Sequence, residues 1–283
     1  MTDRIDAAAA FGIVPRRVVA FGEGRSNRSF HLLADDGRSF TLTELVGHAP
    51  ARAEALLLTL DHLEAHRMGS HRPLRTVSGA RVIHGHWPWM IMPFIPGETL
   101  SASADLPVEA IAALLARIHR IPVPAHLADR RRRLPCDWRT LLRGHDRPDL
   151  EAALAASERM WSRVAAEPAL TFVHGDLFPD NIVRTPDGLV PIDWEHAAAD
   201  HPMLDLGITA VGILAHGGWR QVDRLVGAYA QASGRSVDRG DLEDWIGYSA
   251  SVLALSRFVR DALEGRPHSY ASMLNLGRVL AQT

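Results

Sequence analysis

The chain has 283 residues, 47% hydrophobic and 23% charged, which is enough apolar material for one or two cores and too much for a disordered polypeptide. A formal net charge of −2 gives no bulk attraction to nucleic acid or to an anionic membrane, so neither is an expected partner. The single cysteine, Cys136, excludes an intrachain disulfide and a zinc cluster; with no signal-like start and no stretch of about 20 apolar residues, the expected location is cytoplasmic.

Residues 3–13 read as a short helix. Arg17 to Ala20 starts a strand, and the segment from Phe21 to Phe30 is a Gly-containing turn carrying Gly22, Gly24, Arg25, Ser26, Asn27 and Arg28. Phe30 to Leu33 continues as a strand, Asp35-Asp36-Gly37-Arg38 is hairpin-turn chemistry, and Ser39 to Leu45 is the next strand. Ala51 to His66 is a helix. Pro73 to Ile83 supplies two further strand-like pieces, and Trp87 to Glu98 is a buried strand running into a Pro/Gly-punctuated joint. From Leu106 the periodicity turns helical: Val108, Ile111, Leu114, Leu115 and Ile118 share one face behind Pro107. His119 closes that helix as a packing or hydrogen-bonding residue. Arg130 to Arg133 is a basic run that reads as a solvated loop, with a phosphate or acidic-substrate site as the alternative, and Leu150 to Ala166 is another helix.

Thr171-Phe172-Val173 is a short β-prone run, followed by His174-Gly175-Asp176-Leu177-Phe178-Pro179-Asp180-Asn181. Ile182-Val183 is apolar again, Pro186-Asp187-Gly188 is a turn, and Leu189 to Ile192 leads into Asp193-Trp194-Glu195. Two acids and an amide are thus delivered at the ends of neighbouring short strands. Phosphoryl transfer needs that set: a carboxylate beside the attacking hydroxyl (Asp176), and an Asn and an Asp for Mg²⁺ (Asn181 and Asp193). The spacing matches the kinase loop H-R-D-L-x-x-x-N. Four more helices follow: Leu204 to Ala215, Arg220 to Gln231, Leu242 to Leu263 and Tyr270 to Ala281.

His174-Gly175-Asp176, Ile192-Asp193-Trp194-Glu195 and the later Asp205-Leu206 together resemble the aminoglycoside phosphotransferase and choline kinase family. The resemblance implies an α+β, two-lobed protein-kinase-like fold. It assigns residues 1–92 to a strand-rich nucleotide-binding lobe, 93–97 to a hinge and 98–283 to a larger, mainly helical catalytic lobe. It further implies ATP as co-substrate and Mg²⁺ as cofactor, with Gly22, Gly24, Arg25, Ser26, Asn27 and Arg28 over the phosphates and the backbone of Met92 and Phe94 on adenine. His174 and Asp205 become structural residues, Asp205 buried and accepting backbone N–H groups around the catalytic loop. Assembly is expected to be monomeric or homodimeric.

All basic side chains other than histidine are Arg, since the chain contains no Lys. Thr43 stands where the family usually carries a basic residue on the third strand, and Glu54, the family-like helix acid, has no Lys to pair with. Either Arg25 or Arg28 then supplies charge to the phosphates, with Asn27 able to turn the loop at positive φ, or Mg²⁺ and backbone N–H groups do most of it.

Asp176-Leu177-Phe178 before Asp180-Asn181, the strand Phe40-Thr41-Leu42-Thr43, Asp205-Leu206-Gly207-Ile208-Thr209 and Ser256-Arg257-Phe258 resemble the bacterial homoserine kinase branch. Trp194-Glu195 departs from that branch. Homoserine needs a cation for its carboxylate, for which Arg257 is the candidate, and an acid for its ammonium, for which Asp180 or Glu195 is. The acidic run Asp238 to Asp244 keeps an aminoglycoside acceptor open, although Asp241 also reads as a helix N-cap. Choline- or thiamine-type acceptors and a non-catalytic nucleotide-binding scaffold complete the alternatives.

Overall fold

The structure, a computed structural model, describes residues 4–21, 27–69, 72–103, 105–129, 138–143, 145–164, 170–264 and 270–274. Two compact units divide the chain. The first comprises Met1–Glu98 and Val183–Glu195, the second Thr99–Ile182 and His196–Thr283. The segment leading to Asp193 therefore groups with the N-terminal strands, although it follows the catalytic loop in sequence.

In the first unit, α1 (Arg4–Ala10) precedes β1 (Pro15–Ala20), β2 (Arg28–Ala34), β3 (Ser39–Glu44), α2 (Pro50–Ala65) and β4 (Trp89–Pro93). The four strands form an antiparallel sheet in the order β1-β2-β3-β4. Its register aligns Phe30 with Leu42 and Leu42 with Ile91. Side chains alternate along a strand, so Phe30, Leu32, Phe40, Leu42, Trp89 and Ile91 share one face. They pack with Ala7, Ala8 and Phe11 into one apolar core. Val19, His31, Thr41 and Met92 form a row across the opposite face.

The β2–β3 turn works as its residues dictate: Gly37 takes φ 84°, and the Arg38 N–H and Nε both donate to Asp36. α2 starts on Pro50 and buries Leu56, Leu57, Leu60 and Leu63 at helical spacing. The two strand-like pieces expected between Pro73 and Ile83 are absent. That segment turns at Thr76 to Gly79 and meets β4 through the isolated bridge between Ile83 and Trp89 and the Leu74 N–H on the Ile91 carbonyl. The short strands β7 (Ile182–Thr185) and β8 (Gly188–Pro191) are hydrogen-bonded neighbours leading to Asp193.

The two-residue β5 (Glu98–Thr99) spans the boundary, and α3 (Val108–Ile118), α4 (Trp138–Leu142) and α5 (Pro148–Val164) follow in the second unit. β6 (Thr171–Val173) pairs antiparallel with β9 (Ala198–Asp200), aligning Phe172 with Ala199. Sequence reasoning missed β9, because Ala-Ala-Asp has little strand propensity; the buried β6 backbone needs a pairing partner and finds it there.

Where two helices were expected, a single span, α6 (Pro202–Ser233), is broken by the non-helical Gly218 at φ 68°, ψ −172°. α3 packs on α6, α6 on α7 (Arg239–Glu264), and α5 on α7. Asp238, rather than Asp241, caps α7: its Oδ1 accepts the N–H groups of Gly240 (2.8 Å) and Asp241 (3.1 Å). The last expected helix is described only through residue 274. The fold is α+β, with an antiparallel strand-rich N-terminal part and a helical C-terminal part.

Candidate active site

In the second unit, the segment from His174 to Asn181 leaves the end of β6 and closes on itself. Asn181 Nδ2 donates to the Asp176 backbone carbonyl at 2.8 Å and lies 3.3 Å from Asp176 Oδ2. The Phe178 N–H returns to the same carbonyl at 2.8 Å, and the Asn181 N–H donates to the Phe178 carbonyl at 2.9 Å. Thr209 Oγ1, from α6, holds the Leu177 carbonyl at 3.0 Å. Asp176 is thereby presented half-buried on a loop whose backbone groups are largely satisfied. Gly175 is required at its place: φ is 79°, and a Cβ there would lie 2.4 Å from the His196 carbonyl oxygen.

Asp205, in the first turn of α6, is fully buried. Its Oδ2 accepts the His174 N–H at 2.7 Å and its Oδ1 the Gly175 N–H at 2.6 Å. His119, at the C-terminal end of α3, places Nε2 3.3 Å from Asp205 Oδ2 and Nδ1 2.7 Å from the Tyr229 hydroxyl. Burial pushes the Asp205 carboxyl up. The hydrogen bond and charge of His119 and the Gly175 N–H outweigh that, and hold it below the usual carboxylate range. Burial pushes the Tyr229 phenol up to about 12, which keeps it a neutral hydroxyl. His174 is itself fully buried and uses Nδ1 to accept the Asp176 N–H at 3.3 Å.

In the first unit, Asp193 is exposed and takes φ 62°; the other described non-glycine residue at positive φ is Arg67. Asn27 acts through its side chain, donating Nδ2 to Glu195 Oε2 at 2.9 Å. Glu195, expected to meet a substrate ammonium, is only 4% exposed and also lies 2.8 Å from His48 Nε2. A carboxylate buried among side chains of its own unit is not offered to a soluble acceptor. Sequence reasoning missed His48, which has no local motif and meets Glu195 across a separation of 147 residues.

Arg28 is held by Glu44, its cross-strand neighbour, with Nε to Oε2 at 2.8 Å, while its side chain remains 60% exposed. Thr43 is buried and shares a 3.2 Å hydroxyl contact with Ser29 opposite it, so a small polar pair fills the place expected of a long cation. Glu54 is exposed on α2. Met92 lies in β4 opposite Thr41. The Phe94 N–H, expected to be available to adenine, instead donates to the Ser39 carbonyl at 3.1 Å, because the β3–β4 ladder extends past Pro93. What Phe94 presents is its ring, stacked on Phe21 with centroids 6.0 Å apart. In the second unit Asp180 is exposed and Arg257 half-buried on α7. Gly22, Gly24, Arg25 and Ser26 lie outside the described residues, as do Arg130 to Arg133. No described helix is long and apolar enough to cross a membrane.

Among solved structures, an amicoumacin kinase in complex with AMP-PNP and Ca²⁺ is 12% identical, with a TM-score of 0.73 over 98% of this chain and 91% of that one. The choline kinase LicA from Streptococcus pneumoniae is 16% identical, with a TM-score of 0.69 over 95% and 94%. A spectinomycin phosphotransferase in complex with ADP and spectinomycin is 14% identical, with a TM-score of 0.65 over 97% and 91%. At these identities the likeness shows a shared kinase-like fold. No curated protein matches the chain in sequence. Residues 17–245, which run from β1 through the catalytic loop and Asp205 into α7, match the model of a phosphotransferase enzyme family, and the chain belongs to that family.

Proposed function

We propose that this phosphotransferase moves the γ-phosphoryl group of ATP to the primary hydroxyl of a small amino alcohol, with homoserine as the best candidate. The observation that carries the reading is the closed loop around Asp176. Its carboxylate is half-buried, its backbone is pinned by Asn181, and the preceding N–H groups are anchored on a fully buried Asp205. Asp176 orients the acceptor hydroxyl and takes its proton as the new P–O bond forms. Rigid support matters, because the reacting oxygen must be held in line with the phosphorus.

Asn181 and Asp193 are the residues assigned to Mg²⁺. Both offer oxygen. Asn181 uses Nδ2 on Asp176, which leaves Oδ1 for a cation. Mg²⁺ usually keeps several of its waters and binds through one or two protein oxygens together with phosphate, which these two side chains can supply. When bound, Mg²⁺ neutralises charge on the transferring phosphoryl group.

Asn27, Met92 and Phe94 are assigned to the nucleotide side together with Arg28, whose largely exposed guanidinium can exchange Glu44 for a phosphate. On the acceptor side Arg257 is assigned to a carboxylate and Asp180 to an ammonium. The acidic run that suggested an aminoglycoside acceptor is engaged elsewhere: Asp238 caps α7, and Glu243 pairs with Arg239 at 2.7 Å. The deciding experiment is Mg²⁺-dependent ATP turnover with homoserine, choline, thiamine and an aminoglycoside as acceptors. Turnover of homoserine lost in Arg257→Ala supports the reading, and turnover of a multiply charged antibiotic alone overturns the acceptor assignment.

A further inference from the structure

A kinase-like fold without any lysine must organise its nucleotide side by other means. Within the first unit one cluster stands out. Glu195 Oε2 receives both Asn27 Nδ2 (2.9 Å) and His48 Nε2 (2.8 Å). The three residues come from separate places. Asn27 immediately precedes β2, His48 lies between β3 and α2, and Glu195 follows Asp193 by two residues. His48 is 3% exposed and Glu195 is 4% exposed.

The cluster is unfavourable as mere packing. A buried carboxylate is costly unless paired, and apolar residues would fill the same volume at lower cost. It also leaves His48 Nδ1 and Asn27 Oδ1 buried with no hydrogen-bond partner. Turning the Asn27 amide over would satisfy nothing, since it would set Oδ1 against the carboxylate. Beside it sits backbone strain. Asp193, a non-glycine residue, holds φ 62°. Such a conformation persists only where its surroundings over-determine it. The next two side chains do so: Trp194, 3% exposed, donates Nε1 to the Pro191 carbonyl at 3.2 Å, and Glu195 is fixed by Asn27 and His48.

We propose that His48 and Asn27, acting through Glu195, form a latch that holds Asp193 in its left-handed conformation and ties the start of β2 to it. They are positioning residues for Mg²⁺–nucleotide binding, a task for which this chain has no Lys–Glu pair. Glu195 is an anchor within the latch and not a ligand of metal or acceptor. The inference rests on the assignment of Asp193 to the metal. It predicts a loss specific to the metal-bound nucleotide, because the strained residue is the one that meets the ion.

The test is titration of a fluorescent ATP analogue with Mg²⁺ and with EDTA, alongside thermal melting and KM for ATP and for the acceptor. It compares wild type, His48→Leu, His48→Gln and Asn27→Ala. His48→Leu is expected to weaken Mg²⁺–nucleotide binding about 10- to 100-fold, the range found when partners behind a metal ligand are lost. Metal-free nucleotide binding should change far less, and the acceptor KM should hold. His48→Gln, which keeps a donor for Glu195, should recover most of the loss. Asn27→Ala, at a half-buried position that folding depends on less, should weaken binding in the same metal-dependent way, and it decides the matter if His48→Leu does not fold. Folded variants that bind Mg²⁺–nucleotide as wild type does, or that lose equally with and without Mg²⁺, overturn the latch alone. A wild-type protein that binds no Mg²⁺–nucleotide overturns the phosphotransferase assignment of Asp193 and the latch with it.

Discussion

Asp205 Oδ1 accepts the Gly175 N–H at 2.6 Å, joining the first turn of α6 to the loop that presents Asp176. A full negative charge makes this bond and the one from His174 strong, each about 1.5–3 kcal/mol where the acceptor is charged. Asp205→Asn keeps the shape but offers only one accepting oxygen, so one buried N–H is orphaned. The variant should lose about 2 kcal/mol of unfolding free energy, measured by chemical denaturation, and should lose turnover by more than its folded fraction explains.

The same carboxyl sets a pH dependence. Its folded pKa lies below the ordinary value of 3.8, so its contribution is full above that value and disappears as pH falls through the folded pKa. Wild type should therefore lose stability below the ordinary carboxylate range more steeply than Asp205→Asn. Denaturation midpoints of the two proteins across the acid range check this; parallel curves would contradict it.

His119 supports Asp205 from behind and holds the Tyr229 hydroxyl as well. His119→Leu removes both bonds and leaves the buried Asp205 carboxylate short of a donor. The expected cost is about 1–3 kcal/mol, the penalty for one buried group that loses a partner. Tyr229→Phe should recover part of the loss in the double variant, because the two residues share one bond.

Much of this site can be read from the sequence because its chemistry is local. Asp176 and Asn181 are five residues apart, and their hydrogen bond follows from the tight turn through Pro179. What could not be read depends on distant partners. Glu195 changes from a candidate ligand to a buried anchor only because His48 arrives from 147 residues away. β9 exists because β6 requires a neighbour, not because Ala198-Ala199-Asp200 favours extension. The Phe94 N–H is committed to Ser39 because strand pairing runs one residue past Pro93, which depends on where β3 lies. The break in α6 at Gly218 falls in the gap expected between the helices Leu204 to Ala215 and Arg220 to Gln231, although the chain continues in helix on both sides.

Arg28 and Thr43 test how the phosphates are met without lysine. Arg28→Ala should raise the nucleotide KM several-fold while changing stability by less than about 1 kcal/mol, since an ion pair this exposed contributes little. Glu44, whose carboxyl burial holds above its usual range against the charge of Arg28, then loses that opposing guanidinium. Thr43→Lys should be harmful. The site is buried and shaped for the Ser29 hydroxyl, so the larger side chain costs about 1–3 kcal/mol in overpacking. Melting temperatures and ATP kinetics of both variants report the outcome.

The central claim is that Asp176 serves the acceptor hydroxyl while Asp193 serves the metal-bound nucleotide. Its most direct measurement compares Mg²⁺-dependent phosphoryl transfer and Mg²⁺–nucleotide affinity in Asp176→Asn and Asp193→Ala. The account predicts that Asp176→Asn abolishes turnover at near wild-type nucleotide affinity, whereas Asp193→Ala loses both. Wild-type turnover in Asp176→Asn, or unchanged Mg²⁺–nucleotide binding in Asp193→Ala, would contradict it.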